Sequence, residues 1–439
     1  MKNLRLLLLV LPALSACSTK RSIGDHPLDK TLLSASPPTA HLAAAIEGGE
    51  TATPADVLLE RATLIAAPNP SAYLESQRAP APPTPPAMDV VNPGPDSGDV
   101  PLPPPPPAMP TPQLKVLSYN TGLLDRKYPS GHVQMPEMPA RFAVMPERIL
   151  TDGWDVLLLQ EVWENEAVET LRAAAETHGY VVYAGTDKHH VQHGLVMLVK
   201  KSVIGEGEFV QEEHQFRDQR RIERFPGPNI KRGWLEWELT LTTGQRVRLY
   251  NTHAQSFAGF WPVRERQYRE LGLDVAEIPA EVSVIVGGDF NAGWYYPHDQ
   301  FGLVDGEPVG DWWVNATGIP LFVHYSGLSD AHVVIGLAQD VARMDALPPF
   351  DASWAQNPNG GVCASMPVDT FTATDCNSMY QHSYAAQEYP ARLDYLFYRP
   401  GALVPVSGEI AYTARDVPDD DRMIELSDHY GAAVTFSLR

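Results

Sequence analysis

The 439-residue chain has only three cysteines, none of them in a CxxC pair, which excludes a disulfide-built scaffold and a thiolate zinc site. Cations are scarce: 33 Lys and Arg stand against 54 Asp and Glu, a formal net charge of −21. Nucleic-acid binding through a general basic surface is therefore disfavoured, because counterion release at phosphates requires Lys and Arg. No Gly-x-Ser-x-Gly elbow and no Walker loop occurs, so neither that seryl nucleophile nor a P-loop is available. The N-terminal apolar run, Leu6 to Leu14, falls short of the ~20 residues that a membrane-spanning helix needs. A hydrophobic content of 44% nevertheless permits a substantial core.

Proline is plentiful, and it is concentrated. Of the 41 prolines, 15 fall between Pro80 and Pro112, where they favour an extended polyproline II spacer. Ahead of it, Lys2, Arg5 and the apolar run fit a secretory signal. Leu14-Ser15-Ala16-Cys17 resembles the bacterial lipobox, in which the cysteine is acylated, and Ser18 after it favours the outer membrane by the same resemblance. The expected organisation is a signal peptide over 1–16, a lipidated, Ala/Pro-rich disordered tether over 17–112 and a catalytic domain over 113–439. The tether either spaces that domain from a membrane or itself binds cell wall or a partner. Export also places Cys363 and Cys376 where disulfides persist, so these two are a possible bridge.

From Gln113 the texture becomes globular. Strand-like runs occur at Leu114–Tyr119, Asp155–Leu159, Val181–Tyr183, Gly194–Val199, Leu235–Leu241, Val247–Thr252, Val282–Val286, Leu393–Tyr398 and Ala432–Ser437. A helical pattern over Glu166–Thr177 stops at Gly179. Short strands with a few intervening helices predict an α+β domain of two packed sheets flanked by helices, with long loops at 291–330 and 340–390.

Polar residues recur where these apolar strands end: Asn120, Gln160-Glu161, Asn251-Thr252-His253, Gly288-Asp289-Phe290-Asn291, Arg392-Leu393-Asp394 and Ser427-Asp428-His429. One such residue is an ordinary turn former. Together they supply oxygen ligands and two histidines but no thiol. Carboxylates and amides suit a hard cation such as Mg²⁺, which favours phosphate as a co-ligand. A histidine held by a carboxylate can take a proton from water, while a second imidazole and an amide can stabilise charge on phosphorus.

In this order the six blocks resemble the endonuclease/exonuclease/phosphatase superfamily across essentially all of 113–439. The resemblance implies a four-layer α/β/β/α sandwich of two mixed β-sheets (DNase I-like) and a metal-dependent phosphoric ester hydrolase. It makes Glu161, with Asn120 nearby, the main Mg²⁺ site. Asp289 and Asn291 would orient the attacking water and the phosphate or hold a second metal. His253 would stabilise phosphoryl oxygens, His429 would be the general base with Asp428 beside it near the metal, and Asp394 would orient one of the histidines. The metal-side set is thus Asn120, Glu161, Asp289, Asn291, Asp428 and His429, for one or two divalent cations.

Within the superfamily, Thr252-His253-Ala254-Gln255, Leu426-Ser427-Asp428-His429-Tyr430 and Lys231-Arg232-Gly233-Trp234 resemble the bacterial sphingomyelinase C branch, with Ala254 where an apolar leucine is usual. The span 113–439 carries 26 Lys and Arg against 44 Asp and Glu, a net −18 that fits a polyanionic substrate poorly. Its one dense cationic cluster, Arg217, Arg220, Arg221 and Arg224, is interrupted by acids. Aromatics follow two of the blocks: Phe257, Phe260 and Trp261, then Trp294, Tyr295, Tyr296, Trp312 and Trp313. Such rings can enter a membrane interface or cage a quaternary ammonium, or they can be ordinary core. The expected activity is Mg²⁺-dependent hydrolysis of a phospholipid head group, with an extracytoplasmic nuclease or phosphatase as the alternative and a catalytically silent binding lipoprotein as a third reading.

Overall fold

A computed structural model of the full chain describes residues 111–128, 131–135, 137–185, 193–218, 231–256, 261–292, 303–304, 307–308, 318–319, 321–337, 372–373, 377–379 and 392–439. The signal segment with Cys17, the tether up to Pro110, Cys363 and Cys376 lie outside the described residues. So do Arg220, Arg221, Arg224, Phe257, Phe260 and the aromatics between Trp294 and Trp313. No helix among the described residues is long and apolar enough to cross a membrane.

Two six-stranded sheets make the frame. In chain order their strands are β1 (Gln113–Leu123), β2 (Val156–Val162), β3 (Tyr180–Tyr183), β4 (Val196–Lys200), β5 (Val210–Gln215), β6 (Gly233–Thr240), β7 (Arg246–His253), β8 (Ser283–Asp289), β9 (Ser329–Asp330), β10 (Asp394–Tyr398), β11 (Leu403–Ala411) and β12 (Gly431–Leu438). The first sheet has the order β11-β12-β1-β2-β4-β3 and the second β9-β10-β8-β7-β6-β5. The three longest helices among the described residues are α1 (Met138–Thr151), α2 (Asn165–Thr177) and α3 (Trp261–Ala276).

Only β1–β2 and β7–β8 pair in parallel; the other neighbours are antiparallel. Parallel neighbours require a crossover connection, and α1 and α3 supply the two. As a result β1 and β2 end on the same side of the first sheet, and β7 and β8 end together in the second.

Three apolar clusters define the layers. Leu158, Met197, Val434 and Phe436 of the first sheet meet Leu235, Trp237, Leu249, Ile285 and Leu396 of the second. Met145, Ile149 and Leu171 of α1 and α2 cover the outside of the first sheet, and Tyr268, Leu271 and Val275 of α3 cover the outside of the second. The expected four-layer sandwich of two mixed sheets is the fold observed. At the sheet–sheet seam a side chain at Gly287 would put its Cβ 2.5 Å from Leu158, so the sheets approach most closely where only hydrogen fits.

The expected strands all form, most of them longer by one to four residues. Four further elements carry weak local signals. α1 holds Pro146 in its interior, which removes a helical hydrogen bond, yet its buried Met138, Met145, Ile149 and Leu150 pack on the first sheet. β5, Val-Gln-Glu-Glu-His-Gln, is an exposed edge strand with no apolar alternation. β11 contains Pro405, which sits at a register shift. In α3 the polar Arg264, Glu265 and Gln267 are buried among its apolar residues, so its inward face does not read as an apolar stripe. Within the expected 291–330 loop, residues 303–304 pair with 307–308 and 329–330 join the second sheet as β9.

Candidate active site

The shared strand ends bring every predicted block to one place. Asn120 is the last paired residue of β1 before its register shift, Glu161 lies near the end of β2, His253 ends β7 and Asp289 ends β8. Asp394 opens the antiparallel β10, and Asp428 and His429 immediately precede β12. In register, Asp289 stands between His253 on one side and Asp394 on the other.

A buried amide pair locks the two sheets behind this site. Gln160 Nε2 donates to Asn251 Oδ1 at 2.7 Å, and Asn251 Nδ2 donates to the Leu159 carbonyl at 2.8 Å and the Val196 carbonyl at 3.0 Å. Truncating either amide would orphan buried partners, at about 1–3 kcal/mol each. This bridge sets Glu161, the next residue on the first sheet, against His253 of the second.

His253 Nε2 lies 3.3 Å from Asp289 Oδ2 and 3.8 Å from Glu161 Oε1, and neither ring nitrogen has a hydrogen-bond partner. Burial lowers its pKa, and Arg232 pushes the same way, against the opposing pull of Asp289 and Glu161. His429 is different: its Nδ1 is 2.8 Å from Asp394 Oδ2. Burial would lower its pKa as well, but Asp394, then Asp289 and Asp428, raise it well above the usual histidine value. Burial pushes Asp394 up to about 6, against the opposing His429 charge.

Burial would raise Asp289 too, yet His253, His429 and the Asn291 N–H, 2.8 Å from Asp289 Oδ1, hold it well below the usual carboxylate range. Asn120 Nδ2 donates to Asp289 Oδ2 at 2.9 Å, while its Oδ1 accepts from the Gly122 N–H at 3.0 Å and keeps a second lone pair. Asn291 Nδ2 donates to the Ala254 carbonyl at 3.2 Å. Asp428 accepts from Ser427 Oγ at 3.1 Å, and burial raises its pKa. Glu161 and Asn291 both hold a left-handed backbone, φ +60° and +51°, an uncommon conformation for residues other than glycine that gathers at functional sites.

The acids fit a divalent cation. Asp289, Asp394 and His429 place donor atoms within 4.8 Å of one another, and the buried Asp394 Oδ1 has no hydrogen-bond partner. Oxygen donors with one imidazole are the chemistry of a hard or borderline ion. Two contributors carry no strong sequence signal. Arg232 is almost wholly buried, lies 5.6 Å over the Trp163 ring and interacts with Glu161 and Asp289. Trp163 stands 6.2 Å from the His253 ring and packs so closely that a Cβ on Gly194, at φ +63°, would come within 2.8 Å of it. The Lys231–Trp234 block pointed near Arg232, but only the fold turns that arginine inward.

A four-layer frame with a carboxylate-held histidine, a second imidazole and an acid cluster at paired strand ends defines a metal-dependent hydrolase that uses water. The sequence profile of the Endonuclease/Exonuclease/phosphatase family matches residues 117–429, and the chain belongs to that family. It is a metal-dependent phosphoric ester hydrolase. No curated protein sequence matches the chain. Among solved structures it is similar to sphingomyelinase C from Streptomyces griseocarneus, at 20% identity, with 74% of this chain and 99% of that chain covered and a TM-score of 0.45. D. rerio TDP2 complexed with a single-strand DNA product is 19% identical, with 74% and 98% covered and a TM-score of 0.45. The human Nocturnin catalytic domain with bound sulfate is 16% identical, with 74% and 95% covered and a TM-score of 0.46.

Proposed function

We propose that the protein is a Mg²⁺-dependent phosphodiesterase of sphingomyelinase C type, which releases a phospholipid head group by in-line attack of water. The observation that carries the chemistry is the 2.8 Å bond between His429 Nδ1 and Asp394, with Asp289 in register beside them. With Nδ1 committed to Asp394, His429 has Nε2 left to accept the proton of a water poised at phosphorus. Asp289 and Asn291 orient that water, and His253 faces the phosphoryl oxygens opposite, where an N–H donor stabilises the developing charge. Asn120 and Glu161 would hold the cation, with Asp289, Asn291, Asp428 and His429 on its flank. When bound, the cation polarises a phosphoryl oxygen and offsets the repulsion among the surrounding acids.

The net −18 of residues 113–439 supports a lipid over a nucleic acid, as does the Thr252-His253-Ala254-Gln255 block. Of the cationic cluster, the described Arg217 is paired with Glu270. Acylation at Cys17, with residues 17–112 as a tether, would hold the domain at the bacterial outer membrane, facing lipid outside the cytoplasm. The test gives the full chain sphingomyelin vesicles and plasmid DNA side by side, with Mg²⁺ and then with EDTA. Phosphocholine release with intact DNA, abolished by EDTA, is the expected result. Nicked DNA with untouched lipid would replace this reading with an extracytoplasmic nuclease, and phosphate release from a monoester alone would make it a phosphatase.

A further inference from the structure

The outer face of the second sheet carries a cluster that the cleft does not use. Register places Glu212 of β5 opposite Glu236 of β6, Glu236 opposite Tyr250 of β7, and His214 opposite Trp234. Residues in register share a face, so Glu212, His214, Glu236 and Tyr250 lie together on one side of three adjacent strands. Side chains alternate along β7. Tyr250 therefore points away from the side served by Asn251 and His253, and the cluster is separate from the active site.

His214 Nε2 lies 3.4 Å from Glu212 Oε2 and 3.5 Å from Glu236 Oε2, and one donor atom from each residue falls within 4.8 Å of the others. Glu236 is buried and gives only its other oxygen to Arg248, at 2.6 Å. The His214 ring is stacked on Trp234 at 4.7 Å and 10°, which fixes the plane in which Nε2 points. Nε2 itself is buried with no hydrogen-bond partner.

An independent observation comes from above and beside the cluster. Tyr250 is fully buried, yet its hydroxyl makes no hydrogen bond. It sits in the field of Glu236 and Asp274, close to the Asp274 carboxylate but without hydrogen-bond geometry, and Asp274 Oδ2 is also unpartnered. Buried polar groups are rarely left unpaired, and each unpaired group calls for an explanation. Here His214 Nε2 lies 3.5 Å from Glu236, and Asp274 and Tyr250, each with such an atom, interact electrostatically with the same carboxylate.

We infer that Glu212, His214 and Glu236 form a second divalent-cation site, for a transition ion of the Zn²⁺ class, with Asp274 and Tyr250 completing its polar surround. One imidazole among carboxylates favours such an ion over Mg²⁺. The ion ties the edge strand β5 to β6 beneath α3 and neutralises a face crowded with acids. It takes no part in phosphoester hydrolysis.

The full chain is stripped with a chelator, loaded with Zn²⁺ in excess Mg²⁺ and desalted, and its bound zinc is counted. Wild type is compared with His214→Ala and with Glu212→Gln. Glu212 has a side chain 53% exposed, so its amide variant preserves the fold even if the histidine variant does not. Each variant is expected to hold one zinc fewer per chain, to lose the zinc-dependent rise in Tm and to keep its Mg²⁺-dependent phosphoester turnover. Zinc should also change Trp234 fluorescence in wild type but not in His214→Ala. Equal zinc content and equal Tm shifts in all three proteins would overturn the site and leave His214 as a proton-binding group only.

Discussion

His253 and His429 face the same cleft and are 1% and 6% exposed, yet their pKa values are pushed in opposite directions. Burial disfavours the imidazolium in both. At His253 the nearby Arg232 acts in the same direction, whereas at His429 three carboxylates reverse it. The partner charge, rather than the depth of burial, decides the direction of the shift. His332, just past β9 in a short helix, extends the comparison. It is buried beside Arg392, which is itself bonded to Asp330 at 2.6 and 2.8 Å. Burial and then Arg392 push His332 down to about 4. The two histidines beside arginines have their pKa lowered, and the one bonded to Asp394 has it raised.

The largest expected break in this contrast is His429→Ala. It removes the proton acceptor and should lower kcat by about 10³-fold, within the usual range for a general base, with KM nearly unchanged in steady-state phosphoester assays. Asp394→Asn should cost less, about 10²-fold on the same scale. Its sharper signature is the pH profile. Asp394 raises the His429 pKa, so its neutralisation lowers that pKa and moves the acid limb of kcat/KM to lower pH. An acid limb that stays in place would separate the two residues. Arg232→Gln tests the other pocket: removing a cation that depresses His253 should raise the His253 pKa. Histidine NMR titration reads this directly.

The smallest effect belongs to His332 and concerns stability. Its folded pKa of about 4 lies below the unfolded value of 6.5. Between those values the unfolded chain binds more protons, so stability falls as pH drops from 6.5 and the loss levels off near 4. In urea unfolding across that window, His332→Leu should show a flatter pH dependence than wild type.

Much of this was legible in the sequence. Asn120, Glu161, His253, Asp289, Asp394 and His429 each stand at a strand end that hydrophobic runs mark clearly. The helix after Glu161 reads as amphipathic, and it forms as Asn165–Thr177. Less legible was the edge strand β5, because an exposed edge needs no apolar alternation. α1 was hidden by Pro146, whose local penalty is outweighed only by packing on a sheet that no local window contains. Arg232 stood in the Lys231–Trp234 block without a role of its own. Its burial follows from Gly233 pairing with His253, which turns β6 into the cleft.

The sequence by itself determined the family, the order of the catalytic blocks and the donor types, because each depends on residue identity within a few positions. The tertiary structure decided which acid meets which histidine. Asn120 reaches Asp289 across 169 residues, Gln160 reaches Asn251 across 91, and His429 reaches Asp394 across 35. Periodicity tells which face a side chain takes but not what stands opposite it on another strand or sheet. The opposite pKa shifts of the two cleft histidines, like the cluster behind β5, depend on those opposite neighbours and on the low-dielectric interior that makes them felt.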